Sequence, residues 1–148
     1  PLAWSSAASD VYKRQPTMGV GAVVYNPQNP STILIATGEG YALGGEITSG
    51  FGILISHDDG TTWQTTNAIA DLSNGFAGMD LVWHPADTNI VNAATSYGVL
   101  RSADGGHTWA STLEMLPARM KADPLNPDRI YLTAKYFTVD YQGGLFCL

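Results

Sequence analysis

From residue 20 onward, apolar residues fall in short runs divided by clusters of Pro, Asn, Asp, Ser and Gly, the pattern of an antiparallel β protein. In a first unit the runs predict strands over 20–25, 32–37, 51–56 and 62–66, with a Pro-rich turn at 26–31 between the first two. The cycle repeats at 80–83, 90–95, 98–102 and 108–113 around a turn at 84–89. It begins again at 120–122 and 129–134 around a turn at 123–128 and reaches Gly144-Leu-Phe. Each full unit is a meander of four strands. Gly52, Gly98 and Gly144 open the third strands at a spacing of 46 (98 − 52 and 144 − 98), so the strands stay in phase while the connections vary in length.

Behind two of those glycines the same residues recur: Gly52 to Trp63 and Gly98 to Trp109 both contain Ser-x-Asp-x-Gly-x-Thr-Trp after an apolar run. Ser56, Asp58, Gly60, Thr62 and Trp63 in one, and Ser102, Asp104, Gly106, Thr108 and Trp109 in the other, read as a strand, a turn and the start of a returning strand. Ser and Asp side chains accept nearby backbone N–H groups, and glycine takes the positive φ that other residues resist. Asp58, Asp59 and Asp104 are therefore expected to clip turns, not to act as catalytic carboxylates. Both tryptophans are expected to be buried between strands. Four-stranded units of about forty to fifty residues are the blades of a propeller. The fold class is accordingly all-β: a partial β-propeller with two complete four-stranded antiparallel blades, about 18–67 and 77–114, and most of a third, 118–148. Rings close with about four to eight blades, so the remaining blades are expected outside this chain. The two end blades are expected to expose apolar faces and to self-associate.

In a meander the turns after strands one and three share one side, and the connections after strands two and four share the other. The first side is built of short self-satisfied turns; the second receives the long connections, where functional residues favour loops on a rigid scaffold. The first connection offers Glu39, Tyr41 and Glu46, and the last offers Tyr136, Phe137, Asp140 and Tyr141. Aromatic platforms beside carboxylates suit sugar rings, while loop-ordering and edge-covering roles explain the same residues. Asp80 and Arg119 occupy equivalent positions at the starts of successive inner strands on that side, either as a structural ion pair or pointing into a pocket. His57 and His107 sit at free positions of the two clipped turns and are expected to be solvated.

Charge and composition narrow the field. The 148 residues carry a formal charge of −6 with only seven Lys and Arg, which argues against non-specific nucleic-acid binding. No apolar run approaches a membrane span, and no His-x-x-x-His or Cys-x-x-Cys spacing points to a metal. Neither a cofactor nor a metal is expected. The single Cys147 excludes an internal disulfide. Residues 1–15 lack both strand alternation and the apolar core of a signal peptide. They resemble translated adapter sequence, are expected to be a dispensable disordered leader, and leave 16–148 as the folded unit.

The doubled motif resembles the Asp box, the hairpin of BNR-repeat β-propellers. The run Ile33-Leu-Ile-Ala-Thr-Gly-Glu-Gly-Tyr with the motif after Gly50 is similar to secreted bacterial proteins of the sortilin-like and xyloglucanase-like type. That resemblance implies an extracellular or periplasmic module binding polysaccharide or protein through its loop-rich side, where position and chemistry offer Glu39, Tyr41, Glu46, Arg119, Tyr136, Asp140 and Tyr141 as the ligand contacts. The alternative it implies is part of an endo-acting glycoside hydrolase. Gly78-Met-Asp80 resembles the hydrolases' entry into an inner strand, making Asp80 the candidate catalytic carboxylate with a partner outside this chain. Sialidase chemistry is disfavoured, because Arg101, Arg119 and Arg129 are not placed to converge on one substrate carboxylate.

Overall fold

The computed structural model describes residues 19–39, 49–69, 75–134 and 145–147. Its strands form three antiparallel sheets, each in sequence order from the inside outward. The first holds β1 (Val20–Tyr25), β2 (Ile33–Thr37), β3 (Ile53–Ser56) and β4 (Gln64–Thr65). The second holds β5 (Gly78–Trp83), β6 (Val91–Thr95), β7 (Gly98–Ser102) and β8 (Ala110–Leu113), and the third β9 (Pro117–Ala122), β10 (Ile130–Ala134) and β11 (Leu145–Cys147). Two four-stranded meanders and a three-stranded sheet thus follow one another. Strand β5 packs on β1 and β2 on one side and on β9 on the other.

Alternate residues of each strand enter the two seams. Leu34, Ala36, Ile53 and Ile55 of the first sheet meet Leu81, Trp83, Val91, Ala93 and Leu100 of the second. Met79, Ala94 and Val99 then meet Met120, Ile130 and Leu132 of the third. A sheet covered on both faces has no polar face, and β6 is buried at every position. The seams differ in closeness. A β-bulge interrupts the start of each inner strand, at Gly21 in β1, Met79 in β5 and Ala118 in β9. A Cβ on Gly21 would lie 1.8 Å from the carbonyl oxygen of Gly78, and one on Gly78 would lie 2.3 Å from Cβ of Ala36. Glycine at both positions lets the first two sheets close.

The Pro-rich turns are capped by one acceptor atom each, supplied by three different side chains. Asn26 Oδ1 accepts the N–H groups of Gln28 and Asn29, and Asp123 Oδ1 accepts those of Leu125 and Asn126. In the second turn His84 Nδ1 accepts Ala86 at 3.2 Å and Asp87 at 2.8 Å. Nδ1 must then be the unprotonated nitrogen. The buried Nε2 lies 3.4 Å from Asp128 Oδ1 of the third turn without the alignment of a hydrogen bond. Clipped hairpins and Pro turns share one side, as expected: Asp59 N–H donates to Ser31 O and Gly105 N–H to Asn89 O.

Two expectations need correction. The motif residues Thr62, Trp63, Thr108 and Trp109 precede β4 and β8 instead of belonging to them, because each threonine gives its N–H to the turn carboxylate and not to a strand partner. Trp109 is half-buried against the first core and donates Nε1–H to Gly106 O, but Trp63 is 38% exposed. By repeat symmetry Trp63 faces whatever sheet would precede the first, and none stands there among the described residues. Val23 and Tyr25 share this apolar outward side, 54% and 57% exposed. The third sheet does not match it: the positions alternating with its packed residues are Arg119, Lys121, Tyr131 and Thr133, mostly exposed.

Candidate functional site

The Asp-box carboxylates are fully committed. Ser56 Oγ donates to Asp58 Oδ1 at 2.8 Å and accepts Gly60 N–H at 2.9 Å. Thr62 gives its N–H to Asp58 Oδ1 at 2.8 Å and its hydroxyl to Oδ2 at 2.6 Å. Ser102, Asp104, Gly106 and Thr108 repeat every bond, with Ser102 Oγ to Asp104 Oδ1 at 2.8 Å and Thr108 Oγ1 to Oδ2 at 2.5 Å. The threonine hydroxyl and N–H hold each carboxyl down to about 2, below its ordinary 3.8. A lowered folded-state value means that the clip is fully present above the ordinary carboxylate range and is lost as pH falls toward 2. Carboxyl carbon shifts of Asp58 and Asp104 followed by NMR should titrate near pH 2, and a midpoint near 3.8 for either would show that the clip does not hold in solution.

On the loop-rich side, the structure describes Glu39, Asp80 and Arg119, whereas Tyr41, Glu46, Tyr136, Phe137, Asp140 and Tyr141 lie outside the described residues. The bulge at Met79 sets Asp80 between the second and third sheets. Asp80 Oδ1 accepts the N–H of Leu81 at 2.9 Å, and Oδ2 accepts the N–H of Met120 at 2.8 Å. Arg119 Nη1 donates in return to Met79 O at 2.9 Å. The two side chains therefore stitch β5 to β9 through each other's neighbouring backbone, an arrangement that identity and spacing alone did not reveal. An open cavity of about 730 Å³ lies over this stitch, lined by Val24, Asp80, Trp83, Arg119, Lys121 and Tyr131 among others.

Glu39 stands exposed at the start of the first long connection. Gly38 takes a φ of 80°, and Gly50 approaches it so closely that a Cβ on Gly50 would lie 2.4 Å from Gly38 N. Glu39 and Phe51 thus branch from adjoining backbone, and Phe51 is 48% exposed. Phe51 was not among the sequence candidates, since its apolar run suggested a strand; its ladder begins only at Ile53. Among the described residues no three His, Cys, Asp or Glu converge to hold an ion, and no helix is long and apolar enough to cross a membrane.

Successive four-stranded meanders with aligned inner strands, clipped hairpins on one side and long connections on the other define an arc of a β-propeller. The chain matches part of the propellers of GH74 xyloglucanases and of YCF48. It is 32% identical over 115 residues to a xyloglucanase from a Paenibacillus species, covering 73% of this chain and 11% of that protein. An ancestral GH74 enzyme superposes over 78% of this chain and 16% of its own, with a TM-score of 0.61 and 23% identity. The GH74 xyloglucanase of Xanthomonas campestris covers 84% of this chain and 20% of its own, at 0.60 and 16%. YCF48 from Cyanidioschyzon merolae covers 79% and 31%, at 0.54 and 15%. The chain thus spans about a tenth of the curated relative it matches, with blades beyond this arc in the larger propellers. No protein-family model matches it.

Proposed function

We propose that this arc belongs to an extracellular or periplasmic propeller of the xyloglucanase type, acting on a β-glucan through its loop-rich side. The observation that carries this reading is the 32% identity to a xyloglucanase over 115 residues, 73% of this chain. In it, Glu39 and Phe51 contact the sugar: an exposed ring stacks on apolar C–H faces, and the carboxylate accepts hydroxyl groups. Phe51→Ala and Glu39→Gln in the full-length protein should weaken retention on immobilised xyloglucan by several-fold, about 1 kcal/mol for the ring. The melting temperature should stay unchanged. Unaltered retention in both variants would remove these residues from the site, and absence of β-glucan turnover by the full-length wild type would end the hydrolase proposal.

A non-catalytic binding propeller is the second reading, and Asp80 favours it. Both of its oxygens are engaged by backbone N–H groups, the geometry of a clamp between sheets. If the full-length protein is a hydrolase, its working carboxylates then lie elsewhere on the loop-rich side.

A further inference from the structure

The side of the clipped hairpins carries a feature that neither the Asp box nor glycan binding uses. His57 follows Ser56 in the first box, and His107 precedes Thr108 in the second. The seam between the first two sheets brings them together, ring centroids 5.3 Å apart and planes inclined by 25°, with both side chains exposed. Thr32 Oγ1 lies 3.3 Å from His57 Nδ1 and already accepts Asn29 Nδ2–H. In the tautomer that carries its proton on Nδ1, that hydroxyl accepts Nδ1–H, and Nε2 is the unprotonated, ligating nitrogen.

We propose that His57 and His107 form a two-imidazole site for a divalent transition metal ion, a clip between consecutive Asp boxes. Imidazole is the commonest protein ligand for such ions, and a partner on the second ring nitrogen fixes the ligating tautomer. Metal–nitrogen bonds of about 2.0–2.1 Å let one ion span nitrogens roughly 3–4 Å apart, which exposed rings at this separation reach by turning edge-on. Water completes the shell, since Asp58 and Asp104 are spent on their own turns. Their charges still favour a cation. Imidazole donors with water select nickel, copper or zinc over calcium and magnesium. An ion bound only when both boxes are in place stabilises the seam by mass action.

The test is calorimetric titration of nickel chloride into the chain at neutral pH, with Cys147→Ser as background because that thiol is exposed. Saturable binding of one ion, with a melting temperature that rises with nickel concentration, is expected. His57→Ala and His107→Ala should each weaken binding on the order of 100-fold, the loss expected when a chelate becomes a single ligand. His84→Asn, which keeps an acceptor for the turn, should bind as the background does. Circular dichroism checks that each variant is folded. No saturable binding at millimolar nickel, or binding that survives either alanine substitution, overturns the site.

Discussion

Gly78→Ala should lower the stability of the chain by on the order of 3 kcal/mol, a fall in melting temperature of roughly 10 °C. The added Cβ would sit 2.3 Å from Cβ of Ala36 and within 3.0 Å of that residue's backbone, none of which is the far end of a flexible side chain. Relief requires moving β5 away from β2, which opens the first seam along Leu34, Ala36, Leu81 and Ala93. Gly21→Ala should act similarly, since its Cβ would meet the carbonyl oxygen of Gly78 at 1.8 Å. Gly52→Ala separates crowding from backbone strain: Gly52 has a φ of 91° with nothing within 4 Å of its Cβ position, so its cost is the left-handed conformation alone, about 1–2 kcal/mol. Thermal melts of the three variants decide. If Gly78→Ala costs no more than Gly52→Ala, the sheets are not in the close contact described.

What the sequence disclosed followed the range of the interactions. The Asp boxes were legible because Ser56, Asp58, Gly60 and Thr62 satisfy one another within a few residues, so spacing carries the geometry. The 46-residue recurrence of glycines likewise placed three meanders in phase. The turns at 84–89 and 123–128 were matched by their shared pattern, although an imidazole of His84 in a role that Asn26 fills elsewhere required the hydrogen bonds to explain. Burial of Trp63 was not legible, since the same Trp in the same motif packs against the preceding sheet in one repeat and has no such sheet among the described residues in the other. Phe51 was missed for a related reason: an apolar run does not show where its ladder begins. For Asp80 and Arg119 the sequence offered two opposite charges at equivalent positions. Across the seam each bonds to a backbone group 40 positions away, which no residue identity announces.

Asp80→Asn should lower stability by about 1–3 kcal/mol and, under the proposed hydrolase reading, leave β-glucan turnover by the full-length protein within a few-fold of wild type. An amide has one acceptor oxygen where the carboxylate has two. Whichever way it is flipped, an N–H group of the side chain then faces the N–H of Leu81 or of Met120, now 2.9 and 2.8 Å from Asp80 oxygens. A partly buried donor left without an acceptor carries most of the cost. Arg119→Ala removes the return bond to Met79 O and should couple with Asp80→Asn by more than about 0.5 kcal/mol in a double-mutant cycle, as members of one network do. A catalytic carboxylate would behave in the opposite way. It needs a second carboxylate about 5–10 Å away across the sugar, and its amide variant would keep the fold and lose nearly all turnover. Chemical denaturation and turnover measured on the same full-length variants separate the roles: intact stability with activity abolished would make Asp80 a catalytic residue and overturn the clamp.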